Sequence, residues 1–537
     1  MLQPAESFGQ MYVPSKVSKV DDFFQLDKYQ LIMLLFNELL IFNILSNQVF
    51  NVFGVAPPKL VGCGDQTYDG LTRADRCAQY ANDSDCVNPR LEYEFASATV
   101  EFQQFCPRRE YTFLDKIVQH FGIIDKMKFS TTIQMVGLII GAAVAGQLSD
   151  SYGRRKVLLA SMICICFLST ILSFSPSIDF YIIFRFFIGI FIGSLTTVGP
   201  IFVLECLPVA HRFWIATVVT WGPNFAILSL IAYLTGEWRL LSRVSNAISV
   251  LGVLVLVFFL EESPKFFVQK RRREEAIKAL VNINKWKHKD NQIPYSEIVA
   301  IVSKETGDDG TKESLLSAET RPKKYTFLDL YTTGPIALKT AVTSFGLFSV
   351  SLVSYALIFN LHVIPGSLYL NMAASGVLRW GIGAVVAITD HFGGARVGRK
   401  MVHFVTVGAV AICFALLFLI VINGLKLTYP FAVQACTLVA FGITGCIFLQ
   451  MALAVAEQFP TAVRNLANAN ANVCGRLGSV IGPLLFSMDI GIRGSSYLIM
   501  SMLALLDLIL FQVFLKESKG APLPDEMPER RRRSNNA

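Results

Sequence analysis

Three charged side chains sit inside stretches that otherwise hold little but apolar residues. Arg476, in NVCGRLGSVIGP, lies deep in one stretch, Arg379 about halfway along another, and Glu38 in a third with no other charge for several residues on either side. A charge at the centre of a bilayer costs at least about 2.5 to 3.5 kcal/mol, so such residues normally face a partner or a water-filled cavity. A planar guanidinium matches a carboxylate or sulfate through paired hydrogen bonds. A glutamate can neutralise an arginine, hold a cation, or bind a proton and so tie its site to pH; the plainer alternative is a buried ion pair that fixes helix packing. Aromatic rings accompany these charges: Phe345, Phe348, Tyr355 and Phe359 recur along one apolar run, and Trp221 and Trp380 lie in two others. Ring faces attract cations by about 0.5 to 2 kcal/mol. The candidates for holding a small organic ion are therefore Arg476, Arg379, Glu38, Tyr355, Trp221, Trp380 and Phe348. No nucleophile constellation, ATP-binding motif or spaced His/Cys ligand set accompanies them. That pattern predicts no catalysis, no cofactor and no metal.

The elements that must carry these residues are membrane helices. The 537 residues are 53% hydrophobic and only 16% charged, where a soluble domain is about 25% charged. The apolar residues come in blocks, and about 20 residues of helix cross a hydrocarbon core. Blocks lie near 29–53, 132–149, 157–175, 180–203, 214–235 and 244–260, then near 337–361, 367–389, 401–422, 429–455, 467–487 and 494–515. The reading is an all-α membrane protein of twelve spans in two sets of six, bundles 29–260 and 337–515, with a linker at 261–336 and termini at 1–28 and 516–537.

Basic residues set the expected orientation. Gly153-Arg154-Arg155-Lys156, Lys270 to Arg273, Arg396 to Lys400 and Arg530 to Arg533 belong on the cytoplasmic side. Both termini are then cytoplasmic, and the run at 270–273 reads as a topology signal and a lipid-headgroup contact, not a nucleic-acid site. Segment 54–131 falls outside. It holds Cys63, Cys77, Cys86 and Cys106 and the sequon Asn82-Asp83-Ser84, which together predict a glycosylated, disulfide-stapled loop. Four cysteines allow three pairings, and the spacing does not choose among them.

Two motifs occur twice. ECLPVAHR (205–212) ends the fourth span and EQFPTAVR (457–464) ends the tenth; GQLSDSYGRRK (146–156) follows the second and ITDHFGGARVGRK (388–400) the eighth. The chain is an internal repeat of a six-span unit. Carboxylates and guanidinium groups at these helix ends are expected to pair across the two halves when the inner side is shut and to part when it opens. The candidate gating charges are Asp150, Arg154, Arg155, Glu205, Arg212 and Glu262 in the first half, with Asp390, Arg399, Glu457 and Arg464 in the second. One exposed pair is worth only about 0 to 1 kcal/mol, but several together can bias two states a few kcal/mol apart. The alternative is that they are interfacial charges with no gating role.

GQLSDSYGRRK, RFFIGIFIG (185–193), the two Glu-Pro-Arg octets and EESPKFF (261–267) resemble the major facilitator superfamily over nearly the whole chain. The cysteine-bearing outer loop, AYLTGEWRLL (232–241), GSLYLN (366–371), EQFPTAVRN (457–465) and LKESKGAPLPDE (515–526) are similar to the solute-carrier organic cation/anion transporter family within it. The resemblance implies the major facilitator fold: two six-helix bundles with pseudo-two-fold symmetry around a central cavity, opening alternately to each side of a plasma membrane. Substrates of such carriers bind near mid-membrane, between the repeats. In that family the position of Arg476 tends to be basic in organic-anion members, which favours a secondary-active carrier of small organic anions, driven by a gradient, with exchange of one anion for another as one mode and a counter-ion or proton as coupling partner. An organic cation or zwitterion carrier is the alternative; a sugar or polyol porter, or a non-transporting sensor, fits less well.

Overall fold

In hydrocarbon each backbone N–H and C=O must be paired within its own segment, so apolar runs of this length fold as helices. The computed structural model describes residues 19–64, 66–68, 73–82, 86, 88–106, 126–208, 220–287, 292–306, 326–394, 397–487 and 492–519. The long helices of the first half are α1 (Lys28–Gln48), α2 (Lys126–Tyr152), α3 (Arg154–Leu172), α4 (Ile178–Glu205), α5 (Trp221–Thr235) and α6 (Trp238–Phe259). Those of the second are α7 (Gly334–Phe359), α8 (Leu368–Phe392), α9 (Arg399–Ile422), α10 (Pro430–Gln458), α11 (Thr461–Ile481) and α12 (Ser495–Phe514). Ten of these are long and apolar enough to cross a membrane. The other two complete the dozen: α5 is only 15 residues long, starting after an extended Thr220, and α11 is diluted by Asn465, Asn468, Asn470 and Asn472.

The packing repeats with the sequence. Within the first half α2 and α3 pack on α4, α3 on α6, and α1 on α4, α5 and α6. Adding six to each number gives the contacts of the second half: α8 and α9 on α10, α9 on α12, and α7 on α10, α11 and α12. The halves meet along α5–α8 and α2–α11, two contacts that the same shift exchanges. At the first of them a Cβ on Gly376 would lie 2.5 Å from the carbonyl oxygen of Gly222, so only glycine permits the backbones to come this close.

The structure departs from an all-α reading in the outer loop. There β1 (Lys59–Cys63) pairs antiparallel with β2 (Gln66–Thr67) on one side and β3 (Pro89–Glu92) on the other, beside a helix over Arg73–Asn82. The loop's own core is only Leu60, Cys63, Tyr68, Phe105 and Cys106, too small to hold a fold unaided. Two disulfides supplement it, Cys63–Cys86 and Cys77–Cys106. The segment is anchored to α6 by Glu101, which accepts from Trp238 Nε1 at 2.7 Å and from Arg239 Nη2 at 2.6 Å. The backbone of Asn82 ends the loop helix; its side chain, with Asp83 and Ser84, lies outside the described residues.

Between the halves, helices Pro264–Gln269, Arg273–Asn284 and Tyr295–Thr306 pack on one another. The N-terminal turn Val20–Phe23 is tied to this group: Val20 N–H donates to Glu305 at 2.9 Å, Asp21 pairs with Lys265, and the Lys287 ammonium lies over the Phe23 ring at 4.0 Å. Burial pulls Lys287 down to about 8.

Peptide mapping without reduction should recover Cys63 linked to Cys86 and Cys77 linked to Cys106. Losing either bridge should cost the loop roughly 2 to 5 kcal/mol, read as earlier proteolysis within 54–131. A Cys63–Cys77 peptide would contradict the pairing.

Candidate functional site

A cavity of about 410 Å³ lies between the halves. Its walls come from α1 (Gln48), α5 (Trp221, Gly222, Phe225), α7 (Ser354, Tyr355, Ile358), α8 and α10, and along α8 it runs from Arg379 down to Asp390. Tyr355, Trp221 and Trp380 are in the lining, as are Phe441 and Phe448, two rings that the sequence reading passed over. The Arg379 guanidinium stands over both of these, 5.3 Å from the Phe441 centroid and 5.8 Å from that of Phe448. Its Nη1 is 3.5 Å from Ser354 Oγ and 3.5 Å from Thr444 Oγ1. Among the described residues no carboxylate lies within ion-pair distance of it. Tyr355 receives a hydrogen bond from Gln48 across the halves and lies within electrostatic reach of both Arg379 and Arg476.

Three of the expected residues stand outside the lining. Arg476 reaches the opposite half instead, its Nη2 donating to Thr196 Oγ1 (3.3 Å) and Thr197 Oγ1 (3.4 Å) on α4. Glu38 is held by Asn224 Nδ2 at 2.7 Å and pairs with neither arginine. Phe348 packs in the α7–α11 contact, where its carbonyl faces Gly478 and its ring lies 6.4 Å from that of Phe345.

Among the described residues the candidate gating charges pair within each half, not across the halves. In the first half Arg154 lies between Asp150 (3.3 Å) and Glu205 (3.4 Å). Glu262 accepts from the Arg155 N–H at 2.9 Å, capping the start of α3, while the Arg155 side chain donates to the Leu256 and Val257 carbonyls at the end of α6. In the second half Arg399 lies between Asp390 (3.1 Å) and Glu457 (3.1 Å). Glu517 accepts from the N–H groups of Arg399 (2.8 Å) and Lys400 (3.0 Å), capping α9. A Cβ on Gly153 would lie 2.3 Å from Glu262 Oε2, and one on Gly398 2.3 Å from Glu517 Oε2. The clamp is thus built twice, with a third repeated pair beyond the two motifs above: Glu262-Ser263 after α6 and Glu517-Ser518 after α12.

The second clamp carries more. Lys519 Nζ reaches Asp390 at 2.8 Å and Ser518 Oγ donates to Glu457 at 2.6 Å. Asp390 and Arg399 also line the cavity. Arg464 takes no part: its Nε donates to the Phe459 carbonyl at 3.3 Å. Arg212 lies outside the described residues. Contacts between halves cluster at the loop face instead, where Leu368 N–H donates to Glu94 at 2.8 Å, Ser229 Oγ to the Tyr369 carbonyl at 2.7 Å, and the Tyr369 ring stacks on Phe53 at 5.7 Å. The expectation of pairing across the halves applied to a shut inner side; in this arrangement the helices that each motif joins bring its partners together within one half.

Three buried ionisable residues escaped the sequence reading. Arg185 of RFFIGIFIG is 1% exposed, donates to the Asn47 carbonyl at 3.3 Å, and lies over the Phe50 ring at 4.0 Å. A lone arginine in so apolar a run was the available signal. His403 and Asp507 pair at 3.5 Å between α9 and α12, with His403 stacked on Phe511 at 3.7 Å; nothing in the spacing joins residues so far apart.

The model of the sugar (and other) transporter family matches residues 95–528. The chain belongs to that family. Among curated relatives it is 25% identical to solute carrier family 22 member 1 of Bos taurus, covering 77% of this chain and 70% of that protein. It is 26% identical to the human organic cation/carnitine transporter 2, covering 78% and 72%. Among solved structures it superposes on the inward open xylose transporter XylE of E. coli with a TM-score of 0.58 at 16% identity, over 91% of this chain and 96% of that one, which shows the fold of the major facilitator superfamily. The protein is a multi-pass membrane transporter of this superfamily, with relatives in solute carrier family 22.

The two capping glutamates titrate in opposite directions. Burial raises Glu262 above the ordinary glutamate value despite N–H donors from Arg155 and Ser263. Burial pushes Glu517 up as well, but the N–H groups of Lys400, Lys519, Arg399 and Ser518 outweigh it and hold the carboxylate below that value. The stability that Glu262 contributes is full below the ordinary value and is lost as pH rises through its raised one; that of Glu517 is full above the ordinary value and is lost as pH falls through its lowered one. Melting curves of purified protein should therefore show Glu517→Gln removing part of the acid-side loss and Glu262→Gln part of the loss on raising pH. Profiles parallel to the parent in both variants would refute the assignment.

Proposed function

We propose that the chain carries small organic cations and zwitterions, above all molecules that join a substituted amine to a carboxylate, by alternating access across a plasma membrane. The observation that supports this is Arg379, a guanidinium on the cavity wall with no carboxylate partner among the described residues, set among the rings of Tyr355, Trp221, Trp380, Phe441 and Phe448. A substrate carboxylate would satisfy the guanidinium by charge-assisted hydrogen bonds, and a substrate ammonium would find the ring faces. The relatives named for organic cations and for carnitine favour the same class. A preference for simple anions would leave the rings of Tyr355, Trp221 and Trp380 without a cation, and Arg476, engaged with Thr196 and Thr197, adds little to an anion site.

In this reading 29–260 and 337–515 move as two bodies, with 261–336 joining them. The clamped face, residues 1–28 and the tail 516–537 are cytoplasmic, and 54–131 with Asn82 is extracellular. Each clamp keeps its half rigid while the contact between halves shifts from the loop face to the clamped face. A gradient of a counter-ion or proton drives the cycle, and Glu38, held among the described residues by Asn224 alone, is the carboxylate we assign to take a proton.

Uptake into proteoliposomes of labelled carnitine, tetraethylammonium and p-aminohippurate tests the class. Carnitine should be taken up best and p-aminohippurate least. Arg379→Ala should lower carnitine uptake roughly tenfold to a hundredfold, the loss of a charge-assisted contact of about 1.5 to 3 kcal/mol, and spare tetraethylammonium; Trp221→Ala should lower both. Faster uptake of p-aminohippurate than of either amine would defeat the proposal.

A further inference from the structure

The loop face holds a second cavity, of about 350 Å³, that the transport cycle above does not use. One wall is the disulfide-stapled domain, with Leu60, Phe105 and the Cys77–Cys106 bridge giving an apolar surface and Lys59 and Arg76 at its margin. The other belongs to the second half: His362 in the turn after α7, and Lys426 in the turn between α9 and α10. Among the described residues that line it, no side chain is acidic.

The basic groups are not equivalent. Lys59 is exposed and already paired with Glu92 at 2.7 Å. Lys426 is part-buried, its ammonium donating to the Val363 carbonyl at 3.0 Å, with no carboxylate in ion-pair range among the described residues. An ammonium has three N–H donors, so two remain for an occupant. Burial lowers the Lys426 pKa, and among the described residues no neighbouring carboxylate offsets the shift. A hollow of this size suits a small organic molecule; apolar walls with an uncompensated cation on one side suit an anion on an apolar body.

We propose that this cavity is a second ligand site, for amphipathic organic anions such as arylsulfonates or arylcarboxylates, in which Lys426 binds the anionic group and the disulfide domain covers the apolar part. An occupant touches both the loop domain, joined by chain to α1 and α2, and the turns of the second half. It therefore favours the arrangement in which the halves meet at the loop face, to the extent that it binds that arrangement more tightly than the other. The inference rests on the loop-face geometry and is independent of the substrate class proposed for the central cavity.

The test uses the full chain in phosphatidylcholine nanodiscs and tritiated 2-naphthalenesulfonate, with binding followed by scintillation proximity. Saturable binding is expected in the parent, weakened about tenfold or more by Lys426→Gln and retained in Lys426→Arg, which keeps the charge and controls for folding. Adding phosphatidylglycerol tells whether a lipid headgroup competes for the same cation: displacement that requires Lys426, or none, both leave the anion site in place. Three results would overturn the proposal: no saturable binding in the parent, equal binding in Lys426→Gln, or binding lost in Arg379→Ala and kept in Lys426→Gln, which would put the probe in the central cavity.

Discussion

A charge inside hydrocarbon must be matched by a partner or reached by water, and this constraint sorts the arginines of the chain. Arg154 and Arg399 are each held between two carboxylates. Arg185 is met by a backbone carbonyl and a ring face, and Arg476 by two threonine hydroxyls from the other half. Arg379 alone among these stands on the wall of the central cavity without a carboxylate, and the reading of substrate class follows from that difference. Removing one member of a buried pair would strand the other, which is why the paired arginines suit the frame and the unpaired one suits a ligand.

In the proposed cycle the clamps are what hold each half of the duplicated chain together. Each ties four pieces together: the end of one helix (Asp150 or Asp390), the start of the next (Arg154 or Arg399), the end of the fourth or tenth (Glu205 or Glu457), and the strap after the sixth or twelfth (Glu262 or Glu517). Glycine at positions 153 and 398 leaves room for the capping carboxylate. The duplication is not symmetric in consequence. Among the described residues only the second clamp borders the cavity and only it recruits a lysine from the tail, so the cavity wall and the frame of that half share residues.

Much of this was legible before folding. Twelve apolar blocks, the repeated octets and the repeated Asp-Gly-Arg motifs were enough to reach a two-fold bundle, because hydrocarbon demands helices and a duplicated chain repeats its contacts. Tyr355, Trp221, Trp380 and Arg379 could be named as cavity residues from polarity or ring chemistry within apolar runs. Phe441 and Phe448 could not, since a phenylalanine facing a cavity and one facing lipid look alike in a one-dimensional pattern. The Glu-Ser pairs after α6 and α12 were written in the chain but too short to stand out without the helix starts they cap.

The sequence by itself determined the number and kind of helices, their grouping into equal halves, and which residues carry charge into the membrane, since burial energy and periodicity act along the chain. Tertiary structure alone decided who meets whom. That Glu38 meets Asn224, that Arg476 crosses to α4, that the clamps close within each half, and that Cys63 joins Cys86 all depend on how helices and loops lie side by side. Distances between residues remote in the chain are set by packing, which no local pattern encodes.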